Sequence, residues 1–410
     1  MFFLEKLRRV SVYTKLNILF QGINFSFFLI TLRFFSIEEV GIITYNESFI
    51  ILLSTFLVFG LDNYLTRYFL KFKKHQQKVI FGSVITIAII LLLLAEFVFF
   101  LLNWLIGSVN VGSFFFNISL QILLLSSFVS AILQIQYSVV RIQNDLKGYI
   151  YSNILQFVIK YVVILGYCVF TVFDVNSYFS GVLAFNILCL FYTGYFISKQ
   201  ISFSFRVQSI KRILSFSTPL MINNLMSIGV IFIERVIVKT LFGTSILGLF
   251  GFASKFSNAV LSFHAALKVE YVPAIVKLHI GGGTNAWKQI RMLSKQSIKR
   301  LFFVSLAVAI FGSGVYIVAT PISVIGFFIL AALIIQAFLS AIPLYCYPNL
   351  FLRGKTILYF RSQILLLVTY LPLLGLLIYL FDYYGFFASL VTRSLLYLMI
   401  IYLIIRKHKK

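Results

Sequence analysis

Phe35-Ser36-Ile37-Glu38-Glu39-Val40-Gly41-Ile42-Ile43-Thr44-Tyr45-Asn46-Glu47-Ser48-Phe49 aligns without a gap on Phe242-Gly243-Thr244-Ser245-Ile246-Leu247-Gly248-Leu249-Phe250-Gly251-Phe252-Ala253-Ser254-Lys255-Phe256, at an offset of 207 in a chain of 410 residues. Phe35 meets Phe242, Gly41 meets Gly248, Tyr45 meets Phe252 and Phe49 meets Phe256. The offset is close to half the chain. In a membrane protein such a duplication builds two bundles around a central path. The alternative is coincidence, since aromatics and glycine are common here and identity is low.

The solvent is legible in the composition. Hydrophobic residues make up 61% and charged residues 11% of the chain, and the mean hydropathy is +1.01. A soluble domain needs a polar exterior and does not carry so much apolar surface. Apolar runs near the length that crosses about 30 Å of hydrocarbon recur throughout. They are too long and too uniformly apolar for barrel strands. Twelve spans are expected, at 15–35, 42–60, 79–105, 114–139, 149–173, 179–198, 216–240, 247–267, 301–319, 323–351, 362–381 and 386–405. The expected fold is an all-α polytopic membrane protein with about 12 transmembrane helices. They divide into two pseudo-symmetric six-helix lobes, 1–205 and 206–410, around a central cavity.

All but six of the 35 Lys and Arg fall in segments on one side of this topology, and the opposite loops hold none. The positive-inside rule then places both termini in the cytoplasm. The net charge of +24 is mostly this signal. Spread over seven short segments, it does not read as a nucleic-acid surface; attraction to anionic lipid headgroups is the accessory role expected. The outer loops are too short for a folded domain. The longest loop, Lys268–Arg300, lies inside. Its Gly281-Gly282-Gly283 lacks the spacing and preceding strand of a phosphate loop and reads as a hinge. Its basic stretch Trp287–Arg300 is expected to lie as an interfacial helix. Cys168, Cys189 and Cys346 sit in apolar runs without metal-ligand spacing and read as small core residues. All six prolines fall in the second half, which is expected to carry more kinks. No cleavable leader is evident after Lys6, Arg8 and Arg9.

The six remaining cations are Arg33, Lys160, Arg235, Lys239, Lys255 and Arg393. Arg33 and Lys239 sit near the outer helix ends, where snorkelling accounts for them. Lys160 lies about 17 Å into the fifth span, Lys255 and Arg393 about 12–13 Å from the outer end, and Arg235 about 9 Å. Each costs on the order of 2.5–3.5 kcal/mol on insertion scales, so water, a partner or a ligand must offset it. Polar residues accompany them at helical spacing. Tyr149, Asn153, Gln156, Lys160, Tyr167 and Thr171 share a face of the fifth span. Gly248, Gly251, Lys255, Asn258 and Ser262 share one on the eighth, and Asn17, Gln21, Asn24 and Thr31 one on the first. Interhelical hydrogen bonding and small-residue packing also make such stripes. Serine and glycine fit that account; deep lysines fit a wet cavity. A cationic cavity implies an anionic ligand, most simply a phosphate or diphosphate. The expected binding residues are Lys160, Lys255, Arg235, Arg393, Asn153, Gln156, Asn258 and Asn24. Among intramembrane acids, Glu47 is deep enough to pair with a cation or titrate with a coupling ion; Glu234 is the second candidate, and Glu96 has no assigned role. No catalytic motif, metal cluster or cofactor motif is present, so transport rather than catalysis is expected, with no cofactor.

Several stretches carry a family resemblance. They are Gln21-Gly22-Ile23-Asn24-Phe25, Glu38-Glu39-Val40-Gly41-Ile42-Ile43-Thr44-Tyr45, Phe59-Gly60-Leu61-Asp62 with Thr66-Arg67, Leu214-Ser215-Phe216-Ser217-Thr218-Pro219-Leu220, Glu234-Arg235, and Leu247-Gly248-Leu249-Phe250-Gly251-Phe252-Ala253 with Pro273. The chain resembles the O-antigen flippases of Wzx type, in the multidrug/oligosaccharidyl-lipid/polysaccharide exporter superfamily. Glu234 departs from the Asp that relatives often carry there. The resemblance implies two six-helix lobes, alternating access and an ion gradient as driving force. It implies, as substrate, an undecaprenyl-diphosphate-linked oligosaccharide moved from the inner to the outer leaflet of a bacterial inner membrane during O-antigen and lipopolysaccharide biosynthesis. Membrane lipids and other polysaccharide assembly proteins are the implied partners. The rivals are a peptidoglycan-precursor flippase, a multidrug antiporter of the same superfamily, and a polysaccharide polymerase or ligase, which needs a sizeable outer loop.

Overall fold

The computed structural model describes residues 16, 19–20, 22–30, 33–69, 72–106, 120–143, 145–200, 207–280, 286–319, 324–346 and 356–407. Among the described residues there is no strand. The helices are α1 (22–30 within the first span), α2 (Ile37–Val58), α3 (Leu61–Tyr68), α4 (Lys74–Ile106), α5 (Leu120–Ile142), α6 (Leu146–Asn153), α7 (Lys160–Phe170), α8 (Val175–Gln200), α9 (Val207–Ile237), α10 (Gly243–Ile280), α11 (Ala286–Ala319), α12 (Val324–Cys346) and α13 (Thr356–Lys407). A π-helical segment, Ile154–Ile159, joins α6 to α7, and a second, Val238–Phe242, joins α9 to α10. Eight of the described helical stretches are long and apolar enough to cross a membrane by length and composition. The stretch within α13 runs from Arg361 to Ile404, and at Asp382 the backbone turns to φ 54°, ψ −133°, separating two helices. α9 and α10, which carry Glu234, Arg235 and Lys255, are not among the eight. This is an all-α, multi-pass membrane protein.

Two compact units emerge from the contacts: Phe34–Leu247, and residues 1–33 with Gly248–Lys410. These differ from the sequence halves 1–205 and 206–410, because the opening span of each half is grouped with the later helices of the other.

In the unit Phe34–Leu247, the helix starts follow from capping chemistry. Ser36 is the N-cap of α2. Its Oγ accepts from the Glu39 amide at 3.2 Å, and the Glu39 carboxylate accepts from the Ser36 amide at 2.8 Å, so two orphan donors are satisfied reciprocally. The residue 207 positions on, Gly243, opens α10 with φ 84°. The two copies of the aligned segment thus begin their helices at equivalent positions, one by a capping box and one by a left-handed glycine. The Glu38 carboxylate accepts from the Ser245 hydroxyl at 2.9 Å, again across 207 residues.

α2 ends in two left-handed residues, Phe59 (φ 51°) and Gly60 (φ 70°). A Cβ on Gly60 would meet Ser217 O of α9 at 3.1 Å and Leu220 Cβ at 3.2 Å. Glycine is therefore required twice there, for the torsion and for the approach of α9. The core beneath this turn joins α3, α4, α5 and α9 through Leu61, Tyr64, Leu65, Phe81, Val84, Ile135, Val139 and Ile213. A second core of Val129, Leu133, Leu155, Phe185 and Cys189 joins α5, the first π segment and α8.

In the other unit, Phe250 packs on Phe386 and Phe387. Phe252, Phe256, Tyr316 and Phe327 form a further aromatic run between α10, α11 and α12. Large apolar side chains are widely exposed in both units, including Phe97, Phe100 and Trp104 of α4 and Phe302, Phe303, Ile310 and Phe311 of α11. Such surface is stable against acyl chains and unstable against water.

Several expectations are corrected. The basic stretch Trp287–Arg300 is not a separate interfacial helix. It is the first part of α11, because nothing between Arg300 and Leu301 breaks the backbone hydrogen-bond ladder. Residues 241–246, between the seventh and eighth expected spans, form no separate loop: they complete the second π segment and open α10 at Gly243. Cys346, at the end of α12, is exposed rather than part of the core, whereas Cys168 and Cys189 are buried. Gly281-Gly282-Gly283, Pro321, Pro348 and the first-span residues Asn17, Gln21 and Thr31 lie outside the described residues.

Candidate functional site

The unit Phe34–Leu247 gathers charge around α2. Glu47 projects from the middle of α2, and its Oε1 accepts a hydrogen bond from the Tyr178 hydroxyl of α8 at 2.9 Å. The same oxygen lies 4.0 Å from Lys160 Nζ, at the N-terminus of α7. Lys160 is 28% and Glu47 21% exposed at the side chain. At 4 Å the attraction is about 1 kcal/mol in water and about 4 kcal/mol at an effective dielectric of 20. Partial exposure pulls the value toward the lower figure.

The first π segment sets where Lys160 points. The Lys160 amide donates to Leu155 O, five residues back. A π turn adds one residue to the helical circuit and rotates the succeeding residues by about 100°. The stripe expected at α spacing is thereby split. Asn153, before the turn, is 1% exposed, and its Nδ2 donates to Tyr149 O at 2.7 Å. Gln156, inside the turn, is half-buried, as is Lys160 after it. Asn153 thus sits in the helix packing and is not aimed with Lys160.

α9 and its π extension add Glu234, Arg235 and Lys239 to this unit. Glu234 is 2% exposed. Arg235 is half-buried, its Nε buried with no hydrogen-bond partner, and it feels the charges of Glu47 and Glu234. Lys239 has an aromatic neighbour. It lies in the second π segment with Nζ 4.1 Å from the centre of the Tyr45 ring, close enough for a cation–π attraction. Tyr45 also packs against Phe232. Within the expected spans this unit carries three cations, Lys160, Arg235 and Lys239, and three carboxylates, Glu47, Glu96 and Glu234, so its charge is mixed rather than purely cationic. Sequence reasoning missed Tyr178, Tyr45 and the role of Lys239. Tyr45 lies in the aligned repeat, but nothing in local spacing marks Tyr178 as the partner of a residue 131 positions away.

The unit containing Gly248–Lys410 places its candidates on aromatic faces. Lys255 Nζ lies 4.9 Å from the Phe28 ring centre, and Phe28 packs on Phe252. The Arg393 guanidinium lies 5.6 Å from the Tyr370 ring centre. Asn24 is half-buried and Asn258 exposed. The aligned repeat explains the contrast between the units: the positions matching Tyr45, Glu47 and Ser48 are Phe252, Ser254 and Lys255. The second copy has a phenyl ring for the Tyr45 phenol, a serine for the Glu47 carboxylate and a lysine for Ser48.

The fold is similar to that of solved multidrug transporters. A mutant of the Vibrio cholerae MATE transporter VcmN matches with a TM-score of 0.66 at 16% identity, over 98% of this chain and 97% of that one. A MATE-family transporter of the MOP superfamily in its inward-facing conformation matches with a TM-score of 0.66 at 14% identity, over 97% of this chain and 95% of that one. An outward-facing MATE-family transporter of the same superfamily scores 0.65 at 14% identity, over 97% and 96%. At these identities the likeness is one of fold, and it extends to both conformations. No curated protein matches. Residues 7–279 match the family described as polysaccharide biosynthesis protein, and the chain belongs to that family.

Proposed function

We propose that the protein is a flippase that moves an undecaprenyl-diphosphate-linked oligosaccharide, an O-antigen or other surface-polysaccharide repeat unit, from the cytoplasmic to the outer leaflet of a bacterial inner membrane. Both termini are cytoplasmic in this reading, and an ion gradient drives the cycle. The observation that carries it is the set of half-buried cations Lys160, Arg235 and Lys239 in one unit, in a chain of the polysaccharide biosynthesis family. Cations at membrane depth are costly unless an anion meets them, and a diphosphate headgroup supplies several acceptor oxygens. Lys255 and Arg393 are the further headgroup ligands of this reading. Asn24, Asn153, Gln156 and Asn258 are the proposed polar ligands. Asn153 serves only if the helix packing around it opens. Glu47 and Glu234 are the ion-coupling carboxylates.

The test is a deletion strain. A sugar-loaded undecaprenyl carrier accumulating on the cytoplasmic leaflet supports the flippase. The second reading is a multidrug antiporter, favoured by the fold likeness to MATE transporters; unchanged carrier with altered drug tolerance selects it. Accumulation of the peptidoglycan precursor instead selects a peptidoglycan-precursor flippase.

A further inference from the structure

Glu47 and Lys160 are close but not closed. A charge-assisted N–H···O bond settles at about 2.7–2.9 Å, whereas these groups stand 4.0 Å apart. The Tyr178 hydroxyl holds the same Glu47 oxygen at 2.9 Å. Tyr178 itself is fixed: it is 3% exposed and its ring packs edge-on against Phe35 and Phe179. Its hydroxyl is thus a stationary donor on α8, drawing on a carboxylate of α2 that a lysine of α7 also attracts. Both charged side chains keep an accessible fraction, so an incoming anion can reach Lys160 without unpacking a core.

We propose that Tyr178 is a positioning residue that tethers Glu47 as a loose internal counter-ion, so that Lys160 exchanges this carboxylate for a phosphate oxygen of the substrate headgroup. The proposal rests on the anionic-headgroup reading above. Without a headgroup, Glu47 limits the cost of holding Lys160 in the membrane. With a headgroup, the tether keeps Glu47 from competing at full strength, since its oxygen is already engaged by a neutral donor. Displacing a carboxylate at 4.0 Å takes less than breaking a closed ion pair.

The tether makes opposite predictions for its two ends. The full chain, purified in lipid nanodiscs, is titrated with undecaprenyl diphosphate, with undecaprenol as the uncharged control and inorganic diphosphate as competitor. Tyr178→Phe frees Glu47 to close on Lys160 and weakens binding about tenfold. Glu47→Gln removes the internal competitor and tightens binding about tenfold. The double variant follows Glu47→Gln, because a tether with nothing to hold is silent. Shifts of the same sign in both single variants, or no shift in Tyr178→Phe, overturn the tether; a purely structural role for Tyr178 yields losses only. Should Tyr178→Phe not fold, Glu47→Gln decides alone: tighter binding supports the exchange, and unchanged or weaker binding refutes it. Failure of inorganic diphosphate to displace the lipid puts recognition in the tail and also overturns it. Wild-type protein that binds undecaprenyl diphosphate no better than undecaprenol rejects the headgroup reading itself, a result distinct from variant shifts of the wrong sign.

Discussion

Replacing Gly60 by alanine tests whether the turn after α2 is fixed by its backbone. The residue sits at φ 70°, where an L side chain costs about 1–2 kcal/mol. The added Cβ would also stand 3.1 Å from Ser217 O and 3.2 Å from Leu220 Cβ. The first of these is backbone and cannot rotate away, so α9 has to move, an overpacking cost of about 1–3 kcal/mol. Together these predict a loss of about 2–5 kcal/mol. The assay is thermal unfolding of the detergent-purified protein, followed by the monodisperse fraction remaining after heating. Gly166→Ala is the control: Gly166 lies inside α7, a Cβ added there would meet nothing within 4 Å, and the variant should be neutral or slightly stabilised. If Gly60→Ala melts with the wild type or with Gly166→Ala, the contact between the α2–α3 turn and α9 does not constrain this unit and the steric account fails.

Lys160→Ala should abolish translocation of the carrier while the protein stays in the membrane, which surface-polysaccharide staining and membrane immunoblotting read together; normal polysaccharide refutes the cationic site. Lys255→Ala is expected to do the same. Arg33→Ala should be mild, because Arg33 is exposed and its charge reaches the interface; complete loss of polysaccharide contradicts that. Asp174 caps α8, with Oδ1 accepting from the Ser177 amide at 2.8 Å. This bond, with the Ser177 hydroxyl, holds its carboxyl below the ordinary value of 3.8. A depressed carboxylate contributes stability that is fully present above the unfolded value and is lost as pH falls through the folded one. The melting difference between wild type and Asp174→Ala should therefore be constant above about pH 5 and shrink in more acid solution; a difference that grows on acidification reverses the sign and rejects the cap.

Much of the architecture is legible in the sequence because lipid imposes long apolar runs and leaves charges conspicuous. Glu47, Lys160 and Arg235 stand out for that reason, and the structure sets them in one unit. What spacing does not reveal is the phase. A π turn leaves no mark in composition, so the α-helical period places Asn153 beside Lys160, whereas Asn153 is bound to the Tyr149 carbonyl and Lys160 lies beyond the extra residue. Partners supplied by other helices are equally hidden. Tyr178 reads as one more aromatic in an aromatic-rich chain until α8 sets its hydroxyl against Glu47. Depth alone puts Lys239 near a helix end, and depth says nothing of the Tyr45 ring beneath it. The length of α11 escapes a reading that lays its basic segment along the interface, since helix propagation across Arg300 costs nothing and stopping there would orphan backbone groups.

The hydrogen bond from Ser245 to Glu38 joins a position to its own counterpart in the aligned stretch. An exact repeat would place the same residue type on both sides of that contact. Two glutamates would repel at that distance, and two serines would leave the pairing weaker and uncharged. The acid-and-alcohol match is therefore specific to the present pair, and substitutions at either position should be tolerated only when the other answers them.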